Sequence, residues 1–205
     1  MHYLCFIFFL ITTMNALAHQ PQAALNRLID GNKRYVTDRL KHPNRTSESR
    51  KAVAQQQKPF AAILSCADSR VAPEIVFDQG IGDLFVVRIA GNVAGSLELE
   101  SLQFAVENLG SIVVVVLGHK NCGAVHAVVN GQIKDIPKIA HLIDPAIKGV
   151  KKGQPDTLDR AVQANVEHVV NQLKQAPFLA PLLKGNGVAL VGGVYHLETG
   201  KVDFL

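Results

Sequence analysis

Four apolar runs punctuate this chain, at 60–65, 84–89, 112–117 and 188–195. The third reads Ile-Val-Val-Val-Val-Leu and holds no polar residue. Runs rich in β-branched residues, without in-and-out alternation, predict strands covered on both faces, as in a parallel sheet. A shorter strand is expected at 201–205, at the sheet edge, after the turn residues Glu198, Thr199 and Gly200. Between the runs, apolar positions recur three and four apart. Ala24, Leu25, Leu28, Ile29, Tyr35 and Val36 predict an amphipathic helix over 22–37. Further helices are expected near 47–56 and over 124–130, 136–149, 159–175 and 178–184. Another is expected to start at Ser96 as N-cap, place Glu98 and Glu100 in its first turn, bury Leu99, Leu102, Val106 and Leu109, and stop at Gly110. Strands alternating with helices predict a single α/β domain over 19–205. Its sheet is expected to be mainly parallel, with four parallel strands plus a short C-terminal edge strand, flanked by helices.

The first eighteen residues break the pattern. An apolar stretch from Tyr3 to Thr12 is too short to span a bilayer, and Ala16-Leu17-Ala18 offers an A-x-A cleavage site. Residues 1–18 are therefore expected to be a secretory signal, cleaved after Ala18. Export, to the periplasm in a bacterial cell, follows, with no stable membrane insertion afterwards. The leader carries no Asp, Glu, Lys or Arg but does carry Cys5, so the mature chain would keep the net charge of +4 and only Cys66 and Cys122. Lys and Arg are spread along the chain, which excludes a nucleic-acid partner. Asn44-Arg45-Thr46 fits a glycosylation sequon, relevant only in a eukaryotic secretory path.

The two cysteines fall where chemistry is expected. In parallel sheets, ligands sit at the carboxyl ends of strands. Cys66 follows the 60–65 run, and His119 and Cys122 follow the 112–117 run. Neighbouring strand ends lie about 5 Å apart, so one metal could bridge them. Two thiolates and one imidazole make three zinc ligands and leave one tetrahedral position open, as in a catalytic site. Such a zinc is formally neutral and a weaker Lewis acid than one held by three histidines. A nearby base would compensate, and Asp68, paired with Arg70, is placed to supply it. Gly118 and Gly123 are expected to let the backbone approach closely around the ligands.

Cys66-Ala67-Asp68-Ser69-Arg70 and Gly118-His119-Lys120-Asn121-Cys122-Gly123-Ala124 resemble the two signature segments of the β-class carbonic anhydrases. The similarity extends through Asp83-Leu84-Phe85-Val86-Val87-Arg88 and Ala90-Gly91-Asn92, and runs from about residue 23 to the C-terminus. It implies the β-carbonic anhydrase fold and one zinc ion per subunit, bound by Cys66, His119 and Cys122. It implies attack of zinc-bound hydroxide on carbon dioxide to give bicarbonate, a lyase activity assisted by the Asp68–Arg70 dyad. Asp68 would also ligate the metal in a closed, inactive form. Gln57 matches a substrate-binding glutamine usually supplied by the neighbouring subunit. Phe85, Ala90 and Gly123 would line the substrate pocket. A homodimer or larger homo-oligomer, docked through the 22–37 helix, is expected.

Two departures from the family pattern matter. A bicarbonate-inhibited subtype uses a Trp, an Arg and a Tyr at an allosteric site. Here Arg88 matches the Arg, Phe104 stands in place of the Tyr, and the chain has no Trp. That site is expected to be missing and the open form to be the resting one, as in plant-type members. Phe104 also removes a tyrosine suggested for proton relay, leaving water, His126 or His141. Hydrolysis of carbon disulfide or carbonyl sulfide, a zinc-binding module without turnover, and a thiol redox protein remain alternatives on the same residues.

Overall fold

The structure is a computed structural model that describes the backbone of residues 3–205 and the side chains of 20–205; the side chains of the expected leader, 1–18, lie outside the described residues. Five strands form one sheet in the order β2-β1-β3-β4-β5: β1 (Ala61–Ser65), β2 (Leu84–Arg88), β3 (Val113–His119), β4 (Ala189–Tyr195) and β5 (Val202–Phe204). The first four are mutually parallel, as the run pattern predicts, and β5 is an edge strand that runs antiparallel to β4. β1 and β3 are adjacent and buried along their whole lengths, which is why their sequences show no alternation. Each fully covered valine from Val113 to Val116 contributes roughly 1.5–3 kcal/mol of burial before entropy is counted.

Two helical layers cover the sheet. On one face Ala62, Leu64, Val114 and Val116 pack under α4 (Ser96–Gln103), α5 (Gly123–Val129), α6 (Pro137–Ile147) and α7 (Thr157–Lys174). On the other, Ile63, Val115 and Leu117 meet Leu28 of α1 (Tyr3–Val36) and Val76 and Phe77 at the end of α3 (Pro73–Val76). α2 (Ser47–Val53) and α8 (Ala180–Lys184) complete the chain. Among the described residues, no helix is long and apolar enough to cross a membrane.

The second layer is held by polar clamps as well as by apolar contact. A Cβ at Gly31 would stand 1.8 Å from the Phe77 carbonyl oxygen, so glycine inside α1 is what lets the helix lie this close. Asn32, buried, donates to the carbonyls of Val76 and Gly200 and accepts from the Val202 N–H. Asp78 accepts from Arg34 at 2.6 Å and from the backbone N–H groups of Lys41 and His42. Asp83 accepts from Arg27, from the Asn44 side chain and from the Gly80 N–H. The sequon asparagine is thus a structural donor to a buried carboxylate.

Three local expectations are corrected. The N-cap of α4 is Gly95, not Ser96: its N–H donates to the Glu98 carboxylate at 3.0 Å. The helix does not continue regularly to Gly110 but widens into a π-turn over Phe104–Asn108, closed by Leu109 N–H donating to the Phe104 carbonyl. The helix expected near 47–56 stops at Val53, capped at its start by Thr46. α3 and a tight 3-10 turn at Ala90–Asn92 are further elements that periodicity did not announce.

Candidate metal centre

β1 and β3 end side by side, with Ser65 paired to Leu117. Cys66 is the first residue beyond β1, and His119 is the last residue of β3. Asn121, at φ 56°, then turns the chain so that Cys122 opens α5 on the same side. One donor atom each from Cys66, His119 and Cys122 falls within 4.8 Å of the others, and all three residues are buried. The sulfurs lie 4.0 Å apart. Two thiolates on a tetrahedral zinc, with Zn–S near 2.3 Å, would lie about 3.8 Å apart.

The imidazole is prepared for a metal. His119 Nδ1–H donates to the Lys120 carbonyl at 2.8 Å, which fixes the tautomer and leaves the Nε2 lone pair free. Nε2 is buried with no hydrogen-bond partner among the described residues. A buried, unpaired acceptor beside two sulfurs is the arrangement a metal ion satisfies. The two thiols are pushed in opposite directions, Cys66 down and Cys122 up. The two sulfurs share a hydrogen bond at 4.0 Å, and the Gly91 N–H donates to the Cys66 sulfur from 3.3 Å. These donors outweigh burial and push the Cys66 thiol well below its ordinary value, toward the thiolate that a metal requires.

Asp68 and Arg70 form the expected dyad at the rim. Arg70 Nε and Nη2 donate to the two carboxylate oxygens at 2.9 and 2.7 Å, and the Arg70 N–H adds a third bond. The guanidinium, ahead of a burial effect that opposes it, holds the Asp68 carboxyl well below the usual carboxylate range. Asp68 Oδ2 stands 3.7 Å from His119 Nε2. Asp68 was expected as a donor in a closed form; in this conformation both of its oxygens are on Arg70 and it stands outside the close donor group. Arg88 donates to the carbonyls of Cys66 and Asp68, so it splints the ligand loop.

The expected pocket residues divide. Ala90 begins the turn that brings the Gly91 N–H to Cys66. Phe85 sits on β2 against Phe104, with ring centroids 6.4 Å apart. Gly123 lies at the start of α5 with open space where a Cβ would be, so close backbone approach is not its reason. Gly118 is the glycine that close packing demands, since a Cβ there would stand 2.5 Å from Val166. Gln57 is exposed in the loop before β1, beside a cleft of about 730 Å³ lined by residues 53–58 and 107–110. Cys66 lies beyond the far end of β1, so about 17 Å of strand separates the two within one chain. His126 is exposed and bonds Asn130; His141 is exposed on α6 beside Asp144 and Lys152. The Gly91 N–H and the Lys120 carbonyl are site groups that residue-type reasoning missed, because backbone atoms leave no mark on composition. The one available signal was a glycine flanked by Ala90 and Asn92 directly after a strand.

Comparison with known proteins places this geometry. The family model described as carbonic anhydrase matches residues 61–202. Carbonic anhydrase 2 of Mycobacterium tuberculosis is 37% identical over 194 residues, covering 88% of this chain and 91% of that protein. A Coccomyxa β-carbonic anhydrase solved in complex with acetazolamide is 29% identical, with a TM-score of 0.65, covering 76% of this chain and 75% of that one. A tetrameric β-carbonic anhydrase of Sordaria macrospora shares the fold at 19% identity, with a TM-score of 0.62 over 76% of this chain and 84% of that one.

Proposed function

The chain belongs to the β-class carbonic anhydrase family, and we propose from that premise that its zinc-dependent, reversible hydration of carbon dioxide to bicarbonate and a proton is carried by Cys66, His119, Cys122, Asp68 and Arg70. The observation that supports this reading is the buried, unpaired His119 Nε2, 3.7 Å from the Asp68 carboxylate, on a residue grouped within 4.8 Å with the donors of two buried cysteines. Cys66, His119 and Cys122 would hold the metal. Zinc, when bound, supplies the Lewis acidity that makes water a nucleophile near neutral pH.

The chain's own groups do the rest. Asp68 stays ionised because Arg70 grips both oxygens, so it can accept a hydrogen bond from the attacking water and orient it. The same grip holds the carboxylate back from the metal. Arg88 fixes the Cys66–Asp68 backbone, which sets the distance between ligand and dyad. Phe85, Ala90 and the open space at Gly123 give an uncharged gas an apolar approach. The strand length between Gln57 and Cys66 supports a substrate contact across subunits, in a homodimer or larger assembly. Residues 1–18 are proposed to direct export to the periplasm.

Stopped-flow carbon dioxide hydration by the zinc-loaded protein tests the reading. Turnover that follows zinc occupancy is expected. A fully zinc-loaded protein silent on carbon dioxide, or active only on carbonyl sulfide or carbon disulfide, would sink it.

A further inference from the structure

We propose that Asn165, in the middle of α7, is a positioning residue for the Cys66 ligand, acting through the turn that carries Gly91. This rests on the metal-site reading above.

The argument starts from a polar side chain in an apolar place. Asn165 is fully buried, on the helix face that also buries Ala161, Val162, Val166 and Val169. Its Oδ1 makes no hydrogen bond among the described residues, so the amide is not there to satisfy itself. A buried polar group with one unpaired atom costs stability, and an apolar residue of similar shape would cost less. What the amide does make is one good bond, from Nδ2 to the Gly91 carbonyl at 2.8 Å.

That carbonyl belongs to an unusual turn. Gly91 adopts φ 74°, open to glycine and strained for other residues, and a Cβ there would stand 2.9 Å from Ile143. The conformation aims the Gly91 N–H at Cys66 Sγ, 3.3 Å away. Two turns further along α7, Gln172 donates to the Ala94 carbonyl at 2.9 Å. Residues seven apart share a helix face. Two side-chain amides from one face of α7 therefore pin both ends of the 91–94 segment, and the pinned segment delivers a donor to a ligand sulfur. Groups of this kind, one step behind the ligands, typically change metal affinity by about 10–100-fold when removed.

The test uses full-length protein loaded with zinc, and separately with cobalt(II), whose thiolate charge-transfer band reports on the sulfur donors. Asn165→Leu removes the amide while keeping the branched, four-heavy-atom shape of the side chain. Zinc affinity, measured by chelator competition, is expected to weaken by about 10-fold or more, and the cobalt band to shift in energy. Val169→Ala, buried on the same helix without a bond to the turn, is expected to lower the melting temperature and move neither metal readout. If Asn165→Leu does not fold, Gln172→Leu at its half-buried position should weaken zinc binding in the same direction by a smaller factor. Unchanged zinc affinity and an unshifted band in the folded Asn165 variant, or in the Gln172 variant in its place, overturn the proposal. A wild-type protein that fails to bind either metal overturns the metal-site reading itself.

Discussion

Asp68–Arg70 and Asp78–Arg34 are chemically the same pair, an aspartate gripped by an arginine at 2.6–2.9 Å. Asp68 and Arg70 stand in one loop at the carboxyl end of β1, and Arg70 is 55% exposed. The pair sits beside a buried donor group and has solvent in front of it. Asp78 is fully buried, and its arginine comes from α1, 44 residues earlier. It also accepts from the Lys41 and His42 N–H groups, so it ties α1 and the segment after it to the body. Residue identity and contact distance do not separate a working dyad from a structural clamp. Burial and the identity of the third partner do.

The sharpest way to break this comparison is to remove one carboxylate at a time. Asp68→Asn should lower kcat/KM for carbon dioxide hydration by about 10³-fold, within the usual range for a positioned acid–base group. Its melting temperature should stay within about 2 °C, because the exposed arginine it leaves is solvated. A loss below 10-fold in stopped-flow assays would show that the dyad is only a rim ion pair.

Asp78→Asn should do the reverse. Asparagine tolerates the left-handed backbone at this position, where φ is 46°, so the change isolates the charge. Stranding Arg34 against a neutral partner should cost about 3 kcal/mol in urea unfolding, with zinc content unchanged. The pH dependence follows. Burial alone would raise the Asp78 carboxyl, but the Lys41 N–H, the Arg34 guanidinium and the His42 N–H together hold it below the usual range. A depressed native value stabilises the fold above the unfolded value of about 3.9 and is lost as pH falls below it. The wild type should therefore lose stability more steeply than Asp78→Asn as pH falls below about 4. Parallel profiles would mean that Asp78 is not the group that titrates.

This contrast also explains what was legible in the sequence. The strands and the metal donors were readable because each rests on local information: apolar runs mark β1 and β3, and Cys66, His119 and Cys122 stand at their ends. The Asp78 and Asp83 clamps were not. Their partners lie 37 and 56 residues away, and a charged residue with no near partner reads as surface. The π-turn at Phe104–Asn108 was missed because its residues keep helical spacing until Ser111 is drawn to the Ala105 carbonyl. The glycines show the same limit. Gly118 and Gly123 look alike in the motif, yet only Gly118 has a neighbour, Val166, that forbids a side chain. The docking of α1 depends on Gly31 meeting the Phe77 carbonyl, a contact that no helical pattern announces.

A conservative change sharpens the comparison further. Arg70→Lys keeps the charge but loses the planar fork that engages both Asp68 oxygens. A single ammonium holds the carboxylate less rigidly, so kcat/KM should fall by about 10-fold, less than for Asp68→Asn. Full activity in Arg70→Lys would show that charge suffices and orientation does not matter.

The smallest effect is expected at a third carboxylate. Asp203 on β5 accepts from His196 at 2.8 Å and pairs with Lys201 at 2.6 Å. Its carboxyl lies below the ordinary range, chiefly because of Lys201, so by titration alone it resembles the other two. It differs in being about half exposed, in lying on the edge strand, and in standing outside the Cys66–His119–Cys122 donor group. Solvent screening should reduce its contribution, so Asp203→Asn is expected to shift the melting temperature by less than about 2 °C and to leave kcat/KM unchanged. A shift above 5 °C would mean that the pair is covered in the assembled protein, and a parallel drop in mass by light scattering would place β5 at a subunit interface. In that case the rule separating dyad from clamp would have to be read from the oligomer, where burial is set by the neighbour as well as by the chain.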